Sequence, residues 1–377
     1  MKPFIRKNYT FTLSRFSAIT SLADPPSLFG GRASLLLRFC AFALLICAST
    51  SSSNAETYFN KKAIGTTSAD FLNFPVGARA AAMGGAYTAI SEDASAIYWN
   101  PAGLVQISKL SAIFMRTSYV ADINYQYMAY AHRLSYDSVI AASALLTDIG
   151  AIKQTDISGN RLGTFTPQDQ VITLSYSKAV LEFSDKEKDL SMGISIKSIK
   201  SKIVSETSAF AGDFGIMTYN FTALPYRLGI MLTNFGQGLK FDEESNALPM
   251  TLKLAGALNP FKNFLLAADV VFPKQNKPNF ILGAELNTRP NELTKLSLRC
   301  GLNSQLLRDS LSGFSFGLGA TLHFFSLDYA FTPMGELGTA HRMSITFDFP
   351  FQSPVFERRD RTIFTKIDKI GFNAVGQ

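Results

Sequence analysis

The sequence is poor in charged residues, cysteine, histidine and long apolar runs. Of its 377 residues, 17% are charged, against roughly a quarter in an average soluble protein. Three cysteines and three histidines leave little material for a disulfide framework or a metal cluster. Beyond the N-terminal region, no window holds about 18 consecutive apolar residues, the length that a membrane-spanning helix needs. These shortages exclude a helical membrane protein and argue against a metal or cofactor site.

Aromatic residues are abundant instead, at 12% of the chain, with 32 Phe and 13 Tyr. A large aromatic content without a membrane-spanning helix leaves two classes of protein. One is a large all-β soluble protein, and the other is an outer-membrane β-barrel, in which alternate residues of each strand face lipid.

The N-terminal 55 residues have the layout of a secretory signal peptide. A basic region is followed by an apolar stretch at residues 35–48 and by small residues that end at Ala55. Cleavage there removes six basic residues and one acidic residue, so the net charge falls from +7 to +2. No nucleic-acid partner is expected from so small a charge. Cys40 and Cys47 leave with the signal peptide, and Cys300 alone cannot form an internal disulfide.

From about residue 109 onward, apolar residues recur at every second position. At 343–349, Met, Ile and two Phe alternate with Ser, Thr and Asp. The polar face of these segments is mostly Ser, Thr, Gly and Ala, which is too small and too weakly charged for a water-facing surface. Large apolar residues facing lipid and small polar residues facing a crowded lumen explain the pattern. Fourteen strands are predicted, at 109–118, 123–134, 137–147, 169–180, 190–200, 209–220, 226–234, 250–258, 264–272, 279–287, 294–302, 313–322, 324–332 and 342–350.

The connections between these strands alternate between short and long. The turns that lead from even to odd strands are the shorter set, with 181–189 as an exception, and we predict that they lie in the periplasm. The chain is thus predicted to be an all-β transmembrane antiparallel β-barrel. It would span residues 108–351, with a periplasmic C-terminal tail at 352–377.

Residues 77–104 have a different character, because they are rich in Ala and Gly and show no strand period. Small residues let the backbone pack closely against other structure. Pro101 fixes its own φ angle and biases Asn100 away from the helical region, so a turn is expected there.

The run from Val76 to Leu104, which ends in Trp-Asn-Pro-Ala-Gly-Leu, resembles the opening of the PorV/PorQ family. These proteins are outer-membrane barrels of the type IX secretion system and its relatives, related in fold to the long-chain fatty-acid transporter FadL. The resemblance implies fourteen strands and an N-terminal hatch inside the lumen, within residues 56–107. The hatch residues that it implies are Gly84, Gly85, Asp93, Trp99, Asn100, Pro101, Ala102 and Gly103.

Strand parity predicts a set of charged residues that point into the lumen. Asp269, Glu285 and Arg299 lie on consecutive strands and are expected to pair. A network of salt bridges that stiffens the wall and holds the hatch is one interpretation, and a path for an ion or a substrate is the other. The predicted inward set is Lys197, Asp213, Lys253, Asp269, Glu285, Arg299, Asp328 and Asp348.

Three functions compete at this point, and none is enzymatic because no catalytic set is evident. The resemblance implies a barrel that binds type IX secretion components or cargo proteins. A FadL-like channel for long-chain fatty acids or other hydrophobic small molecules is the alternative. A largely structural barrel is the third. In each case the surrounding partner is outer-membrane lipid.

Overall fold

The computed structural model describes residues 65–119, 123–184, 187–219, 226–241, 245–307 and 312–349. The predicted signal peptide at 1–55, residues 56–64 and the predicted tail at 352–377 lie outside these ranges, so those predictions stay untested.

Fourteen antiparallel strands form a closed barrel. Each strand pairs with the next one along the chain, and the last strand pairs with the first, from Leu110 opposite Phe349 to Ser118 opposite His341. The strands are β1 (Leu110–Ser118), β2 (Asn124–Arg133), β3 (Ser138–Asp148), β4 (Gln168–Ser184), β5 (Glu187–Lys202), β6 (Glu206–Tyr219), β7 (Tyr226–Gly236), β8 (Thr251–Phe261), β9 (Phe264–Pro273), β10 (Asn279–Thr288), β11 (Thr294–Asn303), β12 (Phe314–Leu322), β13 (Phe325–Pro333) and β14 (Thr339–Phe349).

The predicted fold class and strand number are confirmed, but two predicted connections are wrong. Residues 181–189 were expected to form a loop, whereas β4 and β5 continue as paired strands to Ser184 and from Glu187. The predicted connection at 201–208 likewise shrinks to residues 203–205. Beyond Lys178, β4 no longer pairs with β3 and has only β5 as a partner.

The connections differ at the two ends of the barrel. The long-loop end carries the β3–β4 connection (149–167) and the β7–β8 connection (237–250). Each contains a small hairpin that sequence patterns did not reveal, Ile152–Thr155 with Arg161–Phe165 and Leu239–Lys240 with Ser245–Asn246. The short-turn end carries the two-residue turns 262–263 and 323–324, together with the start of β1.

The facing of the strands follows the predicted parity. Large apolar side chains at outward positions are exposed, such as Leu318 at 57% and Met343 at 55%. The polar residues beside them, such as Ser315 and Ser344, are buried at 1%. An apolar exterior around a polar interior fits a barrel surrounded by lipid. Among the described residues, no helix is long and apolar enough to cross a membrane.

Residues 70–107, here called the inner segment, lie inside the barrel. They form a 3₁₀ turn at Asp70–Asn73, helix α1 (Ala78–Ala82), helix α2 (Ala96–Trp99) and a 3₁₀ stretch at Pro101–Gln106. Most of these residues are buried, and they contact inward side chains or backbone of strands around the whole circumference. A short 3₁₀ turn, Gly335–Leu337, joins β13 to β14.

Candidate functional site

Six glycines on six different strands let the inner segment approach the barrel wall closely. At Gly215 and Gly317 the nearest inner-segment atoms belong to side chains, and at the other four they include its backbone. A Cβ atom on Gly301 would overlap the main chain of Met83 and Gly84, because no space separates the two backbones there. Any larger residue at these positions would push the inner segment off the wall. The six are Gly193, Gly215, Gly229, Gly283, Gly301 and Gly317.

Gly84 and Gly85 end helix α1 and turn the chain. Both adopt the left-handed region, with φ angles of 70° and 94°, which favours glycine. The Gly85 N–H donates to the Ala80 carbonyl at 3.0 Å and the Gly84 N–H to the Ala81 carbonyl at 3.0 Å, as at many helix C-termini. Gly84 lies against Gly301 of β11, whereas Gly85 faces the Trp99 ring and Ile281 of β10.

Asn100 joins three parts of the structure. Its Oδ1 accepts a hydrogen bond from the Ala102 N–H at 3.1 Å, which caps the 3₁₀ stretch that starts at Pro101. Its Nδ2 donates to the Thr88 carbonyl at 3.0 Å and to the Ile216 carbonyl on β6 at 3.2 Å. The bonds to Ala102 and Thr88 hold the turn that was expected at Asn100, and the bond to the barrel wall is an addition that the sequence did not reveal.

Ala102 and Gly103, which follow Pro101 in the motif, lie close to neighbouring chain. The Ala102 carbonyl accepts from the Ser191 hydroxyl at 2.9 Å and from the Ser177 hydroxyl at 3.3 Å, so β5 and β4 both hold it. A Cβ atom on Gly103 would overlap the Ser91 carbonyl. The Gly103 position therefore has no room for a side chain.

Asp93 and Trp99 stabilise the inner segment itself. Asp93 Oδ1 accepts from the Ser95 N–H at 2.8 Å, and Oδ2 accepts from the Tyr87 hydroxyl at 3.2 Å. The Trp99 Nε1–H donates to the Val76 carbonyl at 2.8 Å. These bonds fold residues 76–99 back on themselves, and buried polar groups are thereby satisfied.

A chain of buried and half-buried charges, here called the ionic network, ties the inner segment to the wall. Glu285 on β10 lies between Arg79 of α1, whose Nε is 2.8 Å from Oε2, and Arg299 on β11, whose Nε is 2.6 Å from the same oxygen. Arg299 continues to Asp328 on β13 at 2.6 Å. Arg79 also contacts Glu92 at 2.9 Å, and Glu92 reaches Arg227 on β7 at 3.3 Å.

Three members of this network were missed by sequence reasoning: Arg79, Glu92 and Arg227. Arg79 could have been found, because it is the one basic residue of 77–104 and faces several inward acids. Glu285, Arg299 and Asp328 were predicted to point inward, and the structure brings them together. Charges of both signs alternate along the network, which fits a structural link better than a path for one kind of ion.

The expected pairing of Asp269 with Glu285 and Arg299 is wrong. The register places Asp269 opposite Ile281, four positions along β10 from Glu285, so the two carboxylates sit at different depths. Asp269 Oδ2 instead accepts from the Thr88 N–H of the inner segment at 3.2 Å. Lys253 Nζ lies 4.9 Å from the centroid of the Trp99 ring, a cation–π contact with the inner segment.

Lys197 and Asp213 form a second, separate ion pair, with Nζ 2.8 Å from Oδ2. Asn234, which occupies the left-handed region at φ 56°, accepts from Lys197 Nζ at 2.7 Å and donates its N–H to Asp213 Oδ1 at 2.8 Å. The pair thus marks a bulge where the register between β6 and β7 shifts. Asp348, half-buried, lies opposite Ser111 across the β14–β1 junction.

A small cavity lies between the inner segment and the wall. A cavity of about 20 Å³ is lined by Leu72, Ile97, Tyr127, Lys197 and residues of β3 and β4. This volume holds about one water molecule and is far too small for a fatty acid. Within the described residues, no group of His, Cys, Asp and Glu is arranged to hold a metal ion.

Solved structures with the same architecture include two bacterial transporters. The toluene transporter TodX of Pseudomonas putida is 12% identical, with a TM-score of 0.50, over 72% of this chain and 96% of that one. The toluene transporter TbuX of Ralstonia pickettii is 12% identical, with a TM-score of 0.51, over 73% of this chain and 98% of that one. At this identity the likeness shows the fold alone. The protein is an outer-membrane β-barrel with a segment packed inside it.

The family model described as "Type IX secretion system protein PorV" matches residues 56–270, more than half of the chain. The chain therefore belongs to the PorV family, which confirms the resemblance seen at residues 76–104. No curated protein matches the chain.

Proposed function

We propose that this chain is a non-enzymatic component of a type IX secretion system, and that it binds secreted proteins or other components of the machinery at the outer membrane. The observation that carries the proposal is the occupied lumen. Glycines of the wall let the inner segment pack directly against the strands. The ionic network joins the inner segment to four strands. A barrel filled in this way offers its rim and loops to a partner more readily than its lumen to a solute.

In this proposal the inner segment is the hatch that the family resemblance implies. It would seal the lumen and keep the outer membrane tight while partners bind at the ends of the barrel. Residues 1–55 would direct export and be removed, and the C-terminal tail would lie in the periplasm. The long-loop end would then face the cell exterior.

A deletion of the gene tests the proposal in the organism that makes the protein. Cargo proteins of the type IX system should accumulate in the periplasm, and the intact chain should restore their secretion. Affinity purification of the tagged chain from outer membranes, followed by mass spectrometry, should recover type IX components or cargo. Normal secretion in the deletion strain would contradict the proposal.

The alternative function is uptake of fatty acids or other hydrophobic small molecules. Replacing Asn100 and Pro101 with Ala should loosen the inner segment, because the cap and the bond to β6 are lost. We expect modest leakage of large antibiotics and no change in fatty-acid uptake. Saturable fatty-acid uptake by the wild type that this double variant abolishes would favour the transport function instead.

A further inference from the structure

The inner segment and the residues just before it run from one end of the barrel to the other. The Ser68 N–H donates to the Ala247 carbonyl at 2.9 Å and the Ser68 hydroxyl to the Asn246 carbonyl at 2.7 Å, which places Ser68 at the long-loop end. At the short-turn end, Arg133 Nε donates to the carbonyls of Ser108 at 2.7 Å and Ile107 at 3.2 Å. A chain with these two contacts passes through the whole lumen.

Residues 65–74, here called the mouth strap, cover the long-loop end of the lumen. Phe71 and Leu72 are buried in the same apolar cluster as Leu239 and Leu248 of the β7–β8 connection. The Phe74 ring lies 5.2 Å from the ring of Tyr119 at the end of β1. The polar contacts that attach the strap are more exposed. The bonds of Ser68 to the β7–β8 connection are exposed, and the bond from the Tyr98 hydroxyl to the Leu72 carbonyl at 3.1 Å is half-buried.

The rest of the inner segment, residues 78–106, is attached by buried bonds. The Ala78 N–H donates to the Ser344 hydroxyl at 3.1 Å, and the Ala82 carbonyl accepts from the Ser315 hydroxyl at 3.0 Å. The ionic network is attached to the same part through Arg79. Breaking buried bonds leaves groups without water or partner, whereas water replaces exposed bonds at once. The two parts should therefore differ in local stability.

We propose that the mouth strap is a lid at the long-loop end, which detaches from the β7–β8 connection while residues 78–106 stay docked. Gly77, with φ 79°, separates the two parts and is a suitable pivot. Leu72 lines the cavity beside Tyr127 and Lys197, so detachment opens that cavity to the outside.

Hydrogen exchange on the full mature chain in detergent tests the movement. Amides of residues 66–74 should exchange at least roughly tenfold faster than those of residues 79–106. A disulfide between Ser68→Cys and Ala247→Cys, in a Cys300→Ser background, should slow exchange of the strap about tenfold or more. Reduction of the disulfide, the matched control, should restore the original rate. One common exchange rate for both parts, or equal slowing of both by the disulfide, would overturn the lid.

Labelling of intact cells with a membrane-impermeant maleimide tests the location. Thr66→Cys should react like Ser158→Cys at the tip of the 149–167 connection, and unlike Asn263→Cys in the 262–263 turn. Reactivity that follows Asn263→Cys would overturn the proposal, as would failure of Ser68→Cys and Ala247→Cys to cross-link in a folded barrel. The comparison is between the two ends of the barrel, so its outcome does not depend on a role in secretion.

Discussion

Replacing Gly301 with Ala is the sharpest single test of how the inner segment docks. The added Cβ would overlap the backbone of Gly84 and Met83, which cannot rotate away as a flexible side chain could. Overpacking of this kind costs about 1–3 kcal/mol, and a backbone obstacle favours the upper part of that range. The cost falls on the docked state alone, because the undocked segment leaves the same space free.

Gly256→Ala is the matched control on the lipid-facing side of β8. The nearest atom to a Cβ there is a Leu228 methyl at 3.7 Å, an ordinary contact. Ala in place of Gly restricts the unfolded chain, so a gain of about 0.4–1 kcal/mol is expected. The restriction of the unfolded chain is common to both variants and cancels, so they should differ by about the overpacking cost, roughly 1–3 kcal/mol.

Two assays separate loss of docking from loss of the barrel. Trypsin can cut after Arg79 only when the inner segment leaves the wall, so the Gly301→Ala variant should be cut about 5- to 150-fold faster than the wild type. Heat-modifiable mobility on gels should persist, because the strands bond to one another. Equal cleavage rates for Gly301→Ala and Gly256→Ala would refute close docking of the inner segment against Gly301.

Three further predictions concern the wall, the ionic network and a loop. Leu318→Arg places a charge on the lipid face and should cost roughly 2–4 kcal/mol of stability in bilayers near the membrane midplane, whereas Leu318→Phe should be tolerated. Equal stabilities of the two variants would show that Leu318 faces the lumen. Glu285→Ala leaves the buried guanidinium groups of Arg79 and Arg299 facing each other, so the free energy of unfolding should fall by about 3–5 kcal/mol. An unchanged midpoint of chemical unfolding would show that the ionic network does not stabilise docking. Hydrogen bonds from the side chain and backbone of Asn160 hold the pKa of Asp156 below its usual range. Because a lowered pKa stabilises the turn above the ordinary Asp value, that contribution should fade as pH falls through the lowered pKa, and exchange of the Asn160 amide should then rise; a flat profile would argue against it.

The amino-acid sequence alone determined the wall of this protein. Alternation of apolar and small polar residues is a local property of a strand between lipid and lumen, so segments such as 343–349 carry the signal by themselves. Strand number and the inward parity of Glu285 and Arg299 could be predicted for that reason. The signal failed at 181–189, where the hairpin continues beyond its neighbouring strands.

Only the tertiary structure decided which inward residues meet. Arg79 and Glu285 are 206 positions apart, and their contact depends on the depth at which α1 rests against β10. Asp269 has the same parity as Glu285 but a different height, so it bonds to the Thr88 N–H instead of to Arg299. Periodicity fixes the face of the wall on which a side chain lies. Strand register and the path of the inner segment fix its height, which is its position along the barrel axis. Two inward charges pair only when face and height agree, because the attraction between charges falls with distance.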